Sequence, residues 1–168
     1  LEEIGMDAIA EHEAQLTAHA LERLRGIDGL TLYGSCDPEA CPSRVGVISL
    51  SVRGLSHYRV AAILNYEAGV AVRSGCFCAM PYLFNLLGLT AQQIAELQGV
   101  AERGEYGRMP GLVRLSFGCY NTQEEVDVAA EALTRIARGE YRGRYVQAAD
   151  GTCHPEGYQV DLDRYFAL

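Results

Sequence analysis

Apolar residues recur at helical spacing at both ends of the chain. Residues 4–25 carry most of their aliphatic side chains on one face, with Glu and Arg elsewhere, and this pattern predicts an amphipathic helix. Three middle helices are predicted over 57–67, 82–87 and 91–103, with Ser56 and Thr90 as N-cap residues. A last helix follows Thr122, which forms a capping-box pattern with Glu125. Its apolar face consists of Val126, Ala129, Leu133 and Ile136.

Four short segments rich in β-branched or alternating apolar residues predict strands over 30–33, 45–52, 70–73 and 112–117. Residues 35–44 and 104–111 read as loops, and the tail from 139 predicts a small hairpin and a terminal helical turn. Helices and strands alternate, but the strands are few and the connections short. The pattern favours an α+β domain whose small, mainly antiparallel sheet is covered by helices on one face.

Length and composition narrow the class of protein. The chain has 168 residues, 49% of them hydrophobic, which is typical of one globular domain. It has no apolar run of the roughly 20 residues that cross a bilayer. The net charge of −8 repels phosphate backbones, so neither nucleic acid nor a membrane is an expected partner. The acidic start has no basic segment and no initiating Met, so we expect a processed or excised piece and no signal peptide.

The basic residues and the cysteines limit the possible chemistry. All 14 basic residues are Arg, so no lysine can form a Schiff base. Six cysteines without a secretory signal are expected to be reduced thiols of a cytoplasmic protein. The spacings Cys36-x4-Cys41 and Cys76-x-Cys78 differ from those of structural zinc sites, so no metal is expected.

The segment with the clearest chemistry is residues 73–81, which read Arg73-Ser74-Gly75-Cys76-Phe77-Cys78-Ala79-Met80-Pro81. A strand that ends at Arg73 delivers the following residues onto a loop at a sheet edge, where reactive groups often lie. A nearby arginine favours the thiolate form of Cys78, which is the nucleophilic form. Free cysteine is also among the most buried residue types, so a nucleophile and a small core residue both remain open.

Two segments of the chain resemble a known family. Residues 69–81 resemble the active-site segment of cysteine desulfurases and selenocysteine lyases, which belong to the class V aminotransferase group of pyridoxal-phosphate enzymes. Residues 114–127 are similar to the closing segment of the same family, and matches in family order cover about 1–138. The resemblance implies the C-terminal small domain of a fold-type I transferase over 1–140, followed by an extension over 141–168.

The resemblance implies roles for four residues. Cys78 aligns with the catalytic cysteine, which takes sulfur from L-cysteine as a persulfide. Arg114 aligns with the arginine that grips the substrate carboxylate, and a charged residue inside an apolar strand is costly unless it meets an anion. Arg73 aligns with an active-site arginine and is expected to bind substrate or to hold the loop. Cys76 stands where many relatives have histidine, as an auxiliary thiol or a buried residue.

The same resemblance implies a cofactor and partners. In the family, pyridoxal 5'-phosphate is held by a lysine of a large preceding domain. We therefore expect this chain to bind no cofactor alone, to be inactive alone, and to work in a full-length enzyme that is a homodimer and passes sulfur to an acceptor protein. Two alternatives are an aminotransferase or lyase of the group that acts on another amino acid, and a stand-alone thiol or sulfur-carrier module.

The remaining features are given structural or accessory roles. Residues 82–111 are longer than in compact desulfurases, so this insertion is expected to tune access or docking. His57 follows Ser56 at a predicted helix start and is expected to be a capping or surface residue. The other four cysteines, Cys36, Cys41, Cys119 and Cys153, are expected to be inert.

Overall fold

A computed structural model describes residues 1–37, 41 and 44–159. Within these residues, five α-helices are present: α1 (Met6–Leu24), α2 (His57–Ala68), α3 (Met80–Leu86), α4 (Ala91–Glu102) and α5 (Gln123–Ala137). The strands are β1 (Leu30–Tyr33), β2 (Val47–Val52), β3 (Arg73–Gly75), β4 (Leu112–Ser116), β5 (Tyr145–Gln147) and β6 (Cys153–Pro155). The predicted loop over 35–44 lies partly outside the described residues, and the terminal helical turn lies wholly outside them.

Side-chain caps fix the starts of three helices. The backbone N–H of Arg59 donates to Ser56 Oγ at the start of α2, at 3.2 Å. Thr90 forms a capping box with Gln93 at α4, and Thr122 forms one with Glu125 at α5. Each such cap stabilises a helix by about 1 kcal/mol because it satisfies N–H groups that have no partner within the helix. The predicted caps are confirmed.

The main sheet has four antiparallel strands in the order β1-β2-β4-β3. Strand β2 alternates buried and half-buried residues, with Ile48, Leu50 and Val52 facing the core. Leu50 lies opposite Val113 in the centre of the sheet, and both side chains are completely buried. Helices α1, α2 and α5 pack on this face. The predicted α+β class with a small antiparallel sheet is confirmed.

The opposite face of the sheet is polar and less covered. It presents Tyr33, Ser49 and Arg114 from β1, β2 and β4, which lie next to one another in the strand register. The short helix α3 contributes Leu83 and Leu86 to a cavity on this side. The chemistry-bearing residues of the chain therefore lie on the face away from the three packed helices.

Strand β3 lies further along the chain than predicted. The pattern placed it over 70–73, whereas the ladder pairs Arg73, Ser74 and Gly75 with β4. Val70 and Val72 instead pack against the core without joining the ladder. The apolar pattern therefore marked burial, while hydrogen bonding to β4 decided which residues form the strand.

The predicted hairpin in the tail is present as β5 and β6, which pair through Val146 and His154. It also holds residues 104–111, which form a single 3-10 turn at Tyr106–Arg108. The N–H of Gly107 donates to the carbonyl of Ala149 at 2.7 Å, and Gln147 Nε2 donates to the carbonyl of Gly107 at 2.6 Å. The hairpin and the insertion thus brace each other.

Two kinds of feature are absent from the described part of the chain. None of its helices is both long and apolar enough to cross a membrane. Its His, Cys, Asp and Glu side chains nowhere gather in groups of three or more that could hold a metal ion. All six cysteines are among the described residues, and none of them forms a disulfide.

Candidate active site

The two cysteines of the sequence motif lie in one tight turn directly after β3. The N–H of Ala79 donates to the carbonyl of Cys76 at 2.9 Å, which closes a four-residue turn. Its two central residues, Phe77 and Cys78, have φ angles of 55° and 60°. Positive φ at both central positions is typical of a type I′ turn, where glycine and asparagine are usual. The Cys78 side chain is exposed, whereas Cys76 is half-buried.

This backbone conformation is unfavourable for residues with a side chain. A left-handed residue other than glycine costs about 1–2 kcal/mol, and two occur here in succession. Such a conformation persists only where the surrounding structure imposes it, and it is most common at functional sites. The strained backbone of the turn that exposes Cys78 is therefore stabilised by contacts with residues outside the turn.

His57 and Gly111 pack together beside Gly75, the residue that precedes the turn. A Cβ atom on Gly111 would lie 2.6 Å from the His57 ring and 2.7 Å from Gly75 Cα, so only glycine fits between them. His57 is buried, and its Nε2–H tautomer donates to the carbonyl of Met109, 3.2 Å away. The expectation of a capping or surface histidine is wrong, because the ring is buried and packs against Gly111.

The environment of His57 favours its neutral form. Burial lowers the pKa of the imidazole, although the hydrogen bond to the Met109 carbonyl acts in the opposite direction. Its Nδ1 atom is buried and has no hydrogen-bond partner among the described residues. A protonated ring would have to place a second N–H in this unsatisfied position, so protonation is disfavoured.

Arg114 lies in the middle of β4 and points to the polar face of the sheet. It stands opposite Ser49 on one side and Arg73 on the other. Its Nε atom is buried and has no hydrogen-bond partner in the described part of the chain. Its Cζ atom lies 5.0 Å from the centroid of the Phe77 ring, in a cation–π contact. Arg114 thus contacts the turn through Phe77, the residue that precedes Cys78.

Arg73 adds a second positive charge beside Arg114. Within the described residues, neither arginine is in an ion pair, although five other salt bridges are present there. Like charges directly opposite on neighbouring strands are destabilising by up to about 1 kcal/mol. Two guanidinium groups without an acidic partner form a favourable environment for an anion. The arrangement is suited to binding a carboxylate.

A cavity of about 140 Å³ lies between the turn and the polar face of the sheet. Tyr33 and Ser49 line it from the strands, Cys76 and Phe77 line it from the turn, and Leu83 lines it from α3. Of the four residues that sequence analysis identified, Cys76 lines this cavity, Cys78 lies in the same turn, and Arg73 and Arg114 lie opposite each other on β3 and β4. Sequence analysis missed Tyr33, Ser49 and Phe77. The serine in an apolar strand was the one available signal, because polar residues at alternate positions mark the other face of a sheet.

The residues of this chain do not fit a covalently held pyridoxal phosphate. Linkage to its aldehyde requires a primary amine, and the chain has no lysine. The positive groups beside the turn are guanidinium groups, which suit anions and form no such linkage. The chemically distinctive groups at and beside the turn are therefore the thiols of Cys76 and Cys78 and the guanidinium groups of Arg73 and Arg114.

Comparison with known proteins gives consistent matches. The family model described as aminotransferase class-V matches residues 1–128. A probable cysteine desulfurase of Halalkalibacterium halodurans is 34% identical over 143 residues, which cover 85% of this chain and 28% of that protein. A cysteine desulfurase of Escherichia coli is 35% identical over 136 residues, which cover 80% of this chain and 26% of that protein.

A solved structure agrees with these matches. The apo cysteine desulfurase of Thermococcus onnurineus NA1 superposes with a TM-score of 0.62 at 30% identity, over 82% of this chain and 28% of that one. The chain thus spans roughly a quarter of the length of the curated relatives that it matches.

Proposed function

This chain belongs to the aminotransferase class V family, and we propose that it serves as the small domain of a cysteine desulfurase-like enzyme. In this proposal residues 1–140 form the domain and 141–168 an extension that docks on it. A large domain carries the lysine and the pyridoxal phosphate that this chain cannot hold. The observation that carries the proposal is the exposed Cys78, held in an unfavourable turn one residue from the ring that contacts Arg114.

Cys78 is the proposed sulfur acceptor. Its thiolate bonds to the sulfur of L-cysteine while the carbon–sulfur bond of the substrate breaks. The carbon keeps the electron pair, takes up a proton and leaves as alanine, and Cys78 is left as a persulfide. Bound pyridoxal phosphate supplies the electron withdrawal that allows this bond to break. The exposure of Cys78 on a turn suits the next step, in which the persulfide passes its sulfur to an acceptor protein.

Arg114 and Arg73 are the proposed carboxylate-binding pair. Arg114 is held within the sheet and half-buried, so its guanidinium binds in a fixed place with two parallel hydrogen bonds. Arg73 is exposed and adds positive charge beside Arg114. Cys76 is proposed as an auxiliary thiol, since it lies in the same turn and lines the cavity.

The test is made on the complete enzyme with L-cysteine and pyridoxal phosphate. We expect a persulfide on the peptide that contains Cys78, seen by mass spectrometry as the added mass of one sulfur atom. Cys78→Ser abolishes it, whereas the matched variant Cys76→Ser retains the Cys78 persulfide. If turnover continues unchanged in Cys78→Ser, the cysteine is not part of the mechanism, and an aminotransferase or lyase reaction on another amino acid takes its place.

The isolated chain provides a second test. We expect it to release no sulfide from L-cysteine, because it has no lysine to hold the cofactor. A thiol or sulfur-carrier module is the other candidate function, since two cysteines share one turn. In that case a persulfide donor would load Cys78 in the chain alone, and the sulfur would pass to an external thiol without a second domain.

A further inference from the structure

Phe77 links the two halves of the proposed site. Its ring contacts the guanidinium of Arg114, with 5.0 Å between Arg114 Cζ and the ring centroid. Phe77 is joined directly to Cys78 by a peptide bond, and both residues occupy the centre of the same turn. A displacement of the ring therefore displaces the backbone that carries the thiol.

Local preference does not explain a phenylalanine at this position. The φ angle of 55° is one that bulky side chains rarely adopt, and glycine or asparagine would relieve the strain. The ring is half-buried, so it is not a core residue that burial alone would hold. The contact with Arg114 is the specific interaction that offsets this backbone strain.

The geometry of that contact preserves the binding capacity of Arg114. A cation–π contact is an attraction to the face of the ring, and it gives none of the five guanidinium N–H donors to an oxygen or nitrogen acceptor. The ring can therefore hold the guanidinium in place without an acceptor that competes with a ligand. The Nε atom is buried and has no hydrogen-bond partner among the described residues, so a ligand would be bound through the two terminal NH2 groups.

We propose that Phe77 is a specificity-determining residue, which orients Arg114 and makes Cys78 select molecules that carry a carboxylate. The inference rests on the proposed function and goes beyond it, because it assigns a role to a residue that is neither nucleophile nor ligand-binding arginine. An aromatic face is the required feature, and bulk alone does not replace it.

The 168-residue chain allows a direct test by alkylation with iodoacetate and iodoacetamide. In both reactions the Cys78 thiolate forms a sulfur–carbon bond and displaces iodide, but only iodoacetate carries a carboxylate. The ratio of the two rates at Cys78, followed by mass spectrometry of its peptide, cancels any change in the fraction of thiolate. Arg114 raises this ratio if it binds the carboxylate.

Three variants separate the contributions. We expect Phe77→Leu, which keeps bulk but has no aromatic face, to lower the ratio about two- to five-fold, the value of a cation–π contact at a partly exposed site. The matched control Phe77→Tyr keeps the ratio of the parent chain. In an Arg114→Gln background, Phe77→Leu has no further effect. Thermal unfolding followed by circular dichroism checks that each variant is folded.

The possible outcomes distinguish the inference from its premise. An unchanged ratio in Phe77→Leu, together with a lowered ratio in Arg114→Gln, overturns the role of Phe77 and leaves the proposed function intact. Equal losses in the Leu and Tyr variants also overturn it, because the aromatic face would then not matter. An unchanged ratio in Arg114→Gln removes the carboxylate-binding role on which both proposals depend.

Discussion

Arg73 and Arg114 lie directly opposite each other on neighbouring antiparallel strands, without an acidic partner among the described residues. Their repulsion lowers the stability of the chain that holds them. Sites that bind anions often carry such a cost, because the charges that attract the ligand repel each other when it is absent.

This repulsion predicts that removing one charge stabilises the fold. We expect Arg73→Gln to raise the free energy of unfolding by about 0.2–1 kcal/mol, and to reduce the iodoacetate preference of Cys78. Urea unfolding at low salt gives the first quantity. The matched control Arg53→Gln removes the exposed ion pair with Asp28 and should leave stability unchanged or slightly lower. A loss of stability in Arg73→Gln would instead show that Arg73 holds the loop.

The close approach at Gly111 predicts a strong effect of one methyl group. Gly111→Ala forces the His57 ring and the Gly75 backbone apart, and should lower the free energy of unfolding by about 1–3 kcal/mol. The control is Gly99→Ala in α4, where the added Cβ meets only the flexible end of Arg103. There the better helix propensity of alanine should raise stability by up to about 1 kcal/mol. Equal effects of the two substitutions would contradict the tight packing of Gly111 against His57 and Gly75.

Burial of His57 predicts a loss of stability in mild acid. Its pKa is lowered in the folded chain, so the unfolded chain takes up the proton first as the pH falls below the ordinary value of 6.5. The stability that the neutral ring contributes is fully present above that pH and declines below it. We expect the decline between about pH 7 and about pH 5 to be shallower in His57→Leu. Urea unfolding at several pH values measures how the free energy of unfolding changes with pH in the parent chain and in His57→Leu. Equal slopes in the two proteins would contradict the prediction.

Hydrogen bonds to the Glu67 carboxylate hold the start of the C-terminal hairpin. Burial raises the pKa of this carboxyl, but hydrogen bonds from the N–H groups of Gly143 and Arg142 and from the Tyr145 hydroxyl outweigh burial and lower it. Glu67→Gln should therefore destabilise the chain by about 1–3 kcal/mol near neutral pH. The exposed Glu131→Gln in α5 is the control, with little expected change.

The lowered pKa of Glu67 also gives the prediction a pH dependence. A carboxylate with a lowered pKa stabilises the fold above its ordinary value of 4.5 and loses that contribution as the pH falls through its folded pKa. The difference between wild type and Glu67→Gln should therefore shrink in acid. A difference that stays constant with pH would show that the charge of Glu67 is not what holds the hairpin.

Sequence analysis predicted what depends on nearby residues. The capping boxes and the periodic apolar face of α5 lie within one or two helical turns, so the positions of the helices followed from local pattern. The family resemblance likewise rested on the two short segments that contain Cys78 and Arg114. Both kinds of information are carried by short stretches of chain.

Long-range contacts were not predictable in the same way. Strand β3 was displaced because its bounds depend on pairing with β4, which lies almost forty residues away along the chain. The positive φ of Phe77 opposes the local preference of that residue, so no propensity could indicate it. The burial of His57 against Gly111 likewise depends on a contact between distant parts of the chain, which no neighbouring residue identifies.

The hairpin changes where the chain can be divided. The family match ends at residue 128, which lies inside α5, so a fragment cut there would lose the buried Leu133 and Ile136. A cut after residue 140 would keep α5 but strip Tyr145 from the core. The segment that matches the family therefore ends before the segment that the fold needs. A fragment designed for expression has to extend at least through β6.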